Sequence, residues 1–438
     1  MDNRKSIEEY FDRLFPICRS ITGSGFLESL NILGEIVPFE YLNFPSGTQC
    51  YDWTIPDEWE IRDAYIVSPD GSKLAQFKEN NLHVVGYSVP VNKKVSLDEL
   101  KHHLHYIETI PNAIPYVTSY YERNWGFCLS YDDYKNLAEG TYQVYIDSEL
   151  KPGNLTVAMA VIPGQTDKEI LLSTYLCHPS MAVNELSGPL VTAFLYRKLA
   201  ASVKLRHTIR FVFCPENIGS VAFLSRYGEL LKKKLVAGYV INCVGHGKSY
   251  TLKESRQGNS LADRIAKNVL DHQKDPYDII KYFPDGSDER QYCSPGFNLP
   301  VALIMRTMYG KYKEYHTSLD NKDLISFPVL DQCINTYIDV IQSIDANKKY
   351  KGTVQYGTPQ LSKSKSSLYP SIMDRTALVS RDDRTKMMLD LLNYSDGSSD
   401  LIDIAENKGY RLLDLKKVAE LLEENNYLIE IPGGKNRF

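Results

Sequence analysis

"LLSTYLCHPSMAVNELSGP", residues 171–189, is the stretch from which the fold is read. An apolar, β-branched run leads into His178, the chain turns, and Asn184 and Glu185 precede a Ser-Gly-Pro that opens a second apolar run. That order is strand, loop, helix: a buried strand of a parallel sheet reads as a continuous apolar run, and the helix that follows covers it. Polar residues at the end of a buried strand suit either a metal site or an ordinary strand-to-helix loop.

The same alternation extends outward from about 140 to 345. "GNLTVAMAVIPG", "EILLSTYLC", "TIRFVFCP", "AGYVINCVG" and "LPVALIMRT" are five runs of strand length. Between them lie the helical stretches "GPLVTAFLYRKLAAS", "NIGSVAFLSRYGELLKKK" and "NSLADRIAKNVLDH". Strands that alternate with helices predict an α/β domain with a mixed, mostly parallel sheet and helices on both faces. Helical spacing over 4–20 and 26–37 adds two opening helices to this domain. From about 48 to 130 short β-type runs are cut by Pro, Asp-Gly and Asn-Asn, with one short helix in "SLDELKHHLHYI", so a β-rich insertion is expected. After the long helix "FPVLDQCINTYIDVIQSIDAN" comes the linker "GTPQLSKSKSSLYPSI", then three short helices and a strand in a winged-helix pattern. The expected organisation is residues 1–45 with 135–350 as the α/β domain, 46–134 as the insertion and 351–438 as the winged-helix-like domain.

Composition narrows the function. The 438 residues exceed one hydrophobic core, and 43% hydrophobic with 24% charged residues is a globular balance. A net charge of −5 gives no reason to expect nucleic acid or membrane as a partner. The tail from Ser380 carries 12 acidic and 9 basic residues, which predicts a structural or oligomerising role for it, and homo-oligomerisation through the tail or the insertion. The eight cysteines are scattered with no C-x-x-C pair, several inside apolar runs, as in a reducing compartment. There is no signal-peptide pattern and no run of about 18 apolar residues, so the expected location is cytoplasmic. The 31 tyrosines, against 15 phenylalanines, are read as compositional bias.

In open α/β sheets, sites lie beyond the carboxyl ends of the strands. Residues that follow the strand runs are His178, Asn184 and Glu185; Glu216; Asn242 and His246; and, after later loops, Asp288, Glu289 and Arg290, then His316 and Asp320. Each has a plain structural explanation taken alone, such as a helix cap for Glu216. Together, two His, two Glu and an Asp at one sheet edge are sufficient for zinc.

The pieces "HPS", "NELSG", "PENIGS", "VINCVG", "GSDERQY" and "YHTSLDNKD" come in an order that resembles the zinc-dependent aminopeptidases, a family that includes the glutaminyl cyclases. The whole chain is similar to aminopeptidase-like proteins with a winged-helix tail, often encoded beside surface-polysaccharide genes. The resemblance implies a two-zinc site, and this sequence departs from it. Asn184 stands for the bridging Asp, Asn242 for the Asp of the second metal, Ser180 for the Asp supporting the first His, and Pro215-Glu216 for the Glu-Glu pair. Two divalent cations close together need negative charge between them, so one zinc ion per chain is expected. The expected reaction is hydrolysis of an amide bond in a peptide-like or other small substrate. His178, Glu185 and His316 are the expected metal ligands, Glu216 the base and Tyr315 an oxyanion donor, with Asn184, Asp288 and Arg290 binding substrate. Glu185 and Glu216 could exchange roles. The alternative is a non-catalytic binding protein that kept the cleft and lost the chemistry.

Overall fold

The computed structural model describes residues 3–201, 205–361, 368 and 383–431. They divide into two compact units, residues 1–262 with 275–335, and residues 263–274 with 336–438.

The first unit is built on an eight-stranded sheet in the order Glu40–Pro45, Asn154–Ile162, Thr208–Cys214, Glu169–Tyr175, Leu235–Val240, Val301–Met305, Tyr250–Lys253, Tyr277–Ile280. The four strands at its centre, 208–214, 169–175, 235–240 and 301–305, run parallel. Antiparallel pairs join this centre to its flanks on both sides. All seven residues of Glu169–Tyr175 are buried, the mark of a strand covered on both faces. Each Leu, Ile or Val buried there contributes about 1.5–3 kcal/mol. Register is held by a buried fork-to-fork pair between adjacent parallel strands: Arg210 Nε lies 2.8 Å from Glu169 Oε2 and its Nη2 3.0 Å from Oε1.

Five of these strands follow the sequence pattern. Glu40–Pro45, Tyr250–Lys253 and Tyr277–Ile280 were not expected, being short and less apolar. The first helix ends at Leu14, earlier than expected, and the second spans Ser24–Leu33.

The inserted module has its own four-stranded antiparallel sheet, ordered Lys73–Leu74, Glu58–Val67, Thr141–Lys151, Val91–Ser96. Its core includes Ile66, Leu100, Phe127, Tyr142 and Val144. Thr141–Lys151 pairs along its whole length with the other insert strands, so the module runs to Lys151 and not to 134. The sequence placed that boundary too early because an alternating strand gives no sign of which sheet it joins.

In the second unit, helices Asp383–Tyr394, Leu401–Lys408 and Leu412–Glu424 accompany a three-stranded antiparallel sheet of Asp396–Asp400, Lys349–Gly352 and Leu428–Ile431. Asp400 and Asp403 cap the middle helix reciprocally, and Gly409 ends it in the left-handed conformation. Leu401 and Ala405 on this helix and Leu415, Ala419 and Leu422 on the next are buried. The expected linker over 357–372 lies largely outside the described residues.

Candidate metal centre

The parallel strands deliver their carboxyl ends to one edge, and each ends in a tight loop. Four residues of these loops hold positive φ without being glycine: Ser180 at 44°, Asn217 at 60°, Cys243 at 50° and His316 at 55°. Such backbone costs of order 1–3 kcal/mol per residue and clusters at functional sites. Ala182–Leu186 forms a single wide π-type turn that runs directly into the helix Ser187–Ala200. Gly188 lets that helix start against the sheet, because a Cβ there would sit 2.3 Å from the Ile241 carbonyl.

His178 is buried where the loop begins. Its Nδ1 lies 2.7 Å from Glu185 Oε2, and its Nε2 lies 3.7 Å from Glu216 Oε2 on the other side. The His316 ring stands 5.3 Å from the His178 ring, centroid to centroid, and Tyr315 stacks on His316 at 4.0 Å. Glu185, Glu216 and the His316 ring thus all lie around His178.

Each of the candidate residues also has partners within the fold. Glu185 is completely buried behind His178, where it orients the ring. Asp288 is also fully buried: it accepts the Asn217 N–H at 2.6 Å and the Ser220 hydroxyl at 3.0 Å, fixing the start of the helix Ile218–Lys234. Arg290, partly exposed, donates from Nε to Asn217 Oδ1 at 2.8 Å. Asn184 donates its amide to the Tyr175 hydroxyl at 2.8 Å, and Asn242 donates to Ser287 at 2.6 Å. Asp320 accepts the backbone N–H groups of Val183 and Asn184 and the Tyr312 hydroxyl, which holds the wide turn. His246 contacts the Leu324 carbonyl, and Glu289 forms a buried pair with Lys253 at 2.6 Å.

Two contributors were not found from sequence. Arg19 is 1% exposed; its Nε donates to the His178 carbonyl at 3.1 Å and Nη1 to the Leu14 carbonyl at 2.5 Å. It interacts electrostatically with Glu185 and so compensates a buried carboxylate. Tyr116, from the insertion, lies 4.9 Å from the His178 ring and 5.2 Å from the His316 ring, and its N–H donates to the His316 carbonyl at 2.8 Å. An N-terminal arginine and a tyrosine in a β-rich module leave no periodic signal that ties them to this edge.

Protonation follows from these surroundings. Burial alone would lower the His178 pKa, but Glu185 overcomes that and raises it. Burial drives His316 down to about 3, with His178 adding to the effect, so His316 stays neutral. Glu216 is pushed up to about 8 by burial, against the pull of His178, with Asp288 and Glu185 pushing it further. Burial, then the charges of Glu185 and Glu216, raise Cys177 well above a normal thiol.

Two faces of His178 are candidates for a metal. Cys177, His178 and Glu185 offer donor atoms within 4.8 Å of one another, the sole such group of three among the described residues. On that face the Arg19 cation already stands near Glu185. On the opposite face one pair of donors has a spacing suited to zinc. Two ligands of a tetrahedral zinc stand about 3.3 Å apart, given metal–ligand distances near 2.0–2.1 Å, and the 3.7 Å between His178 Nε2 and Glu216 Oε2 is close to that. The His316 ring stands 5.3 Å from the His178 ring, and its nitrogens do not fall within 4.8 Å of both other donors.

Comparison with known proteins agrees with this architecture. The fold is that of the zinc aminopeptidases. A zinc aminopeptidase from Bacillus subtilis superimposes with a TM-score of 0.57 at 12% identity, covering 78% of this chain and 94% of that one. The chain belongs to the family described as domain of unknown function DUF4910, whose model matches residues 8–347, and a winged helix-turn-helix model matches residues 348–430. A Clostridium acetobutylicum protein, named for polysaccharide biosynthesis and an aminopeptidase-like domain, is 41% identical over 423 residues, 95% of this chain and 94% of that protein. A crystal structure from the same organism, named as a peptidase, has a TM-score of 0.90 at 40% identity, covering 98% and 96% of the two chains. No described helix is long and apolar enough to cross a membrane.

Proposed function

We propose that this chain is a single-zinc hydrolase of amide bonds, with the metal held by His178 Nε2, His316 and Glu216. The observation that carries the reading is the placement of Glu216 Oε2 3.7 Å from His178 Nε2 while Glu185 occupies Nδ1. Zinc, when bound, would polarise a carbonyl and bring the pKa of its water to about 7. The chain's own residues do the rest. Glu185 accepts the Nδ1 proton and leaves the Nε2 lone pair facing the cleft, the usual carboxylate support for a ligating histidine. Arg19 places a positive charge near that buried carboxylate. Burial keeps His316 neutral and its ring nitrogen free to coordinate. Tyr116 and Tyr175 wall the imidazole of His178 from bulk water. Tyr315, stacked on His316, is assigned as donor to a developing oxyanion.

Asn184 and Asn242, neutral and engaged in hydrogen bonds, support one metal in place of two. A second reading, a non-catalytic binding protein with the same cleft, is favoured by Pro215: it stands where the family resemblance puts a second glutamate, so no further carboxylate is supplied there to take the water proton.

Paired variants test the assignment. Glu216→Gln should lose zinc by elemental analysis, whereas Glu185→Gln should keep most of it, with affinity lowered about 10- to 100-fold as for other supporting carboxylates. Zinc retained in Glu216→Gln and lost in Glu185→Gln would reverse the roles. Hydrolysis of no member of a library of peptides and small amides by zinc-loaded protein would favour the binding reading.

A further inference from the structure

A cavity of about 380 Å³ lies beside the candidate centre and is lined by none of its residues. Its walls include Tyr51, Trp53 and Phe297, with Asp52, Glu229 and Gln291 among its polar residues. Tyr51 and Phe297 meet edge to face, centroids 5.7 Å apart at 78°, so two aromatic walls stand at a right angle. Tyr51 and Asp52 form the two-residue tip of a hairpin closed by the Cys50–Trp53 pair. A two-residue tip with positive φ at its first position only favours glycine there. A tyrosine at φ 53° is an uncommon and strained choice there, and it is 58% exposed, so packing does not account for it. The Tyr51 hydroxyl is anchored on the Leu224 carbonyl at 3.2 Å.

The cavity adjoins the centre. Val221, on its wall, is one helical turn from Asn217, and Gln291 donates to Asn217 Oδ1 at 3.1 Å; Asn217 directly follows Glu216. A line of rings also connects the two. Trp53 meets Tyr121 at 6.3 Å, Tyr121 meets Tyr120 at 6.4 Å, and the Tyr120 hydroxyl is bonded to that of Tyr116, which touches His178.

No Lys, Arg or His lines this cavity, while two carboxylates do. Glu229 is bonded to Lys232 at 3.2 Å; Asp52 has no ion-pair partner among the described residues. Aromatic faces carry a negative quadrupole that attracts organic cations. A purely apolar occupant would take water from the Asp52 carboxylate and return nothing to it. From these observations we infer that the cavity binds a protonated amine of the substrate, either an amino-acid side chain or an amino sugar. The assignment of that amine to a substrate rests on the proposed hydrolase function; the binding itself does not.

The test is titration calorimetry at low ionic strength on full-length protein stripped of metal, which separates this inference from the zinc reading. The probes are N-acetyl-lysine amide against N-acetyl-norleucine amide, and glucosamine against glucose. At least one amine should bind roughly tenfold tighter than its neutral counterpart, the sum expected of a cation–π contact and an exposed carboxylate. Which amine binds identifies the source. Asp52→Asn, on an exposed tip, should abolish the preference without affecting folding, and Tyr51→Ala should weaken the same amine. Equal binding of the neutral probes, binding of no probe, or a preference that survives Asp52→Asn would overturn the inference.

Discussion

Arg19 offers the most direct check on how the centre is held together. Replacing it with methionine keeps much of the volume and removes the charge. The structure then loses two charge-assisted hydrogen bonds to carbonyl oxygens, those of His178 and Leu14, at about 1.5–3 kcal/mol each. It also removes a nearby cation from the buried Glu185, which Arg19 reaches through electrostatics and not through a direct ion pair. The two hydrogen bonds set the scale, so the expected loss is about 3–6 kcal/mol. Urea unfolding of the metal-free protein followed by tryptophan fluorescence reads it cleanly, because Trp53, Trp59 and Trp125 are the three tryptophans and all belong to the unit that contains Arg19. If Arg19 acts through Glu185, the double variant with Glu185→Gln should be about 1–3 kcal/mol more stable than the two single losses add up to, the range for neighbours that couple. A loss below about 1 kcal/mol, or strict additivity, would refute the reasoning.

Purified protein dialysed against a weak chelator should hold close to one zinc per chain; a reproducible value near two would mean that Asn184 and Asn242 do not prevent a second ion. His316→Ala should lose zinc while unfolding within about 1–2 kcal/mol of the parent, the cost of a left-handed alanine; unchanged zinc content would remove His316 from the ligand set. Asp288 is raised to about 6 from its ordinary 3.8, chiefly by burial. The folded chain thus binds that proton more tightly, so its stabilising contribution is full below about 4 and lost as pH rises through 6. Relative to Asp288→Asn, the parent should therefore lose stability between those values in pH-dependent denaturation, and a difference that does not vary with pH would contradict the burial argument.

The sheet was legible because its centre is covered on both faces, which leaves unbroken apolar runs such as Ile170–Leu172 and Phe211–Phe213. Their parallel order then put His178, Glu216 and the residues after Val240 at one edge. The flanking strand Tyr277–Ile280 was not legible: with one neighbour and partial exposure, it needs no apolar run. The site's residues were found by their place after strands, but their roles depend on loop geometry. Glu185 reaches behind His178 only because the Ala182–Leu186 turn is wide, and Asp288 serves a helix start 71 residues away in sequence. Neither distance has a period that sequence could display.

The insertion's contact with the His316 loop has a consequence for how the molecule comes to be made. Ser318 donates its N–H to the Ile114 carbonyl at 2.8 Å, and Ile114 returns an N–H to the Ser318 hydroxyl at 3.0 Å across 204 positions of chain. Contacts between such distant positions form late, after the cost of closing the intervening loop has been met. During synthesis His178 and Glu216 emerge with the insertion already complete, while His316 is still a hundred residues from the ribosome's exit. The rear of the cleft therefore stands ready and waits for its last member. On the proposed assignment, zinc could be captured only after His316 has emerged, and any shortened design that trims residues 113–120 would deprive the late-arriving loop of the surface it docks on.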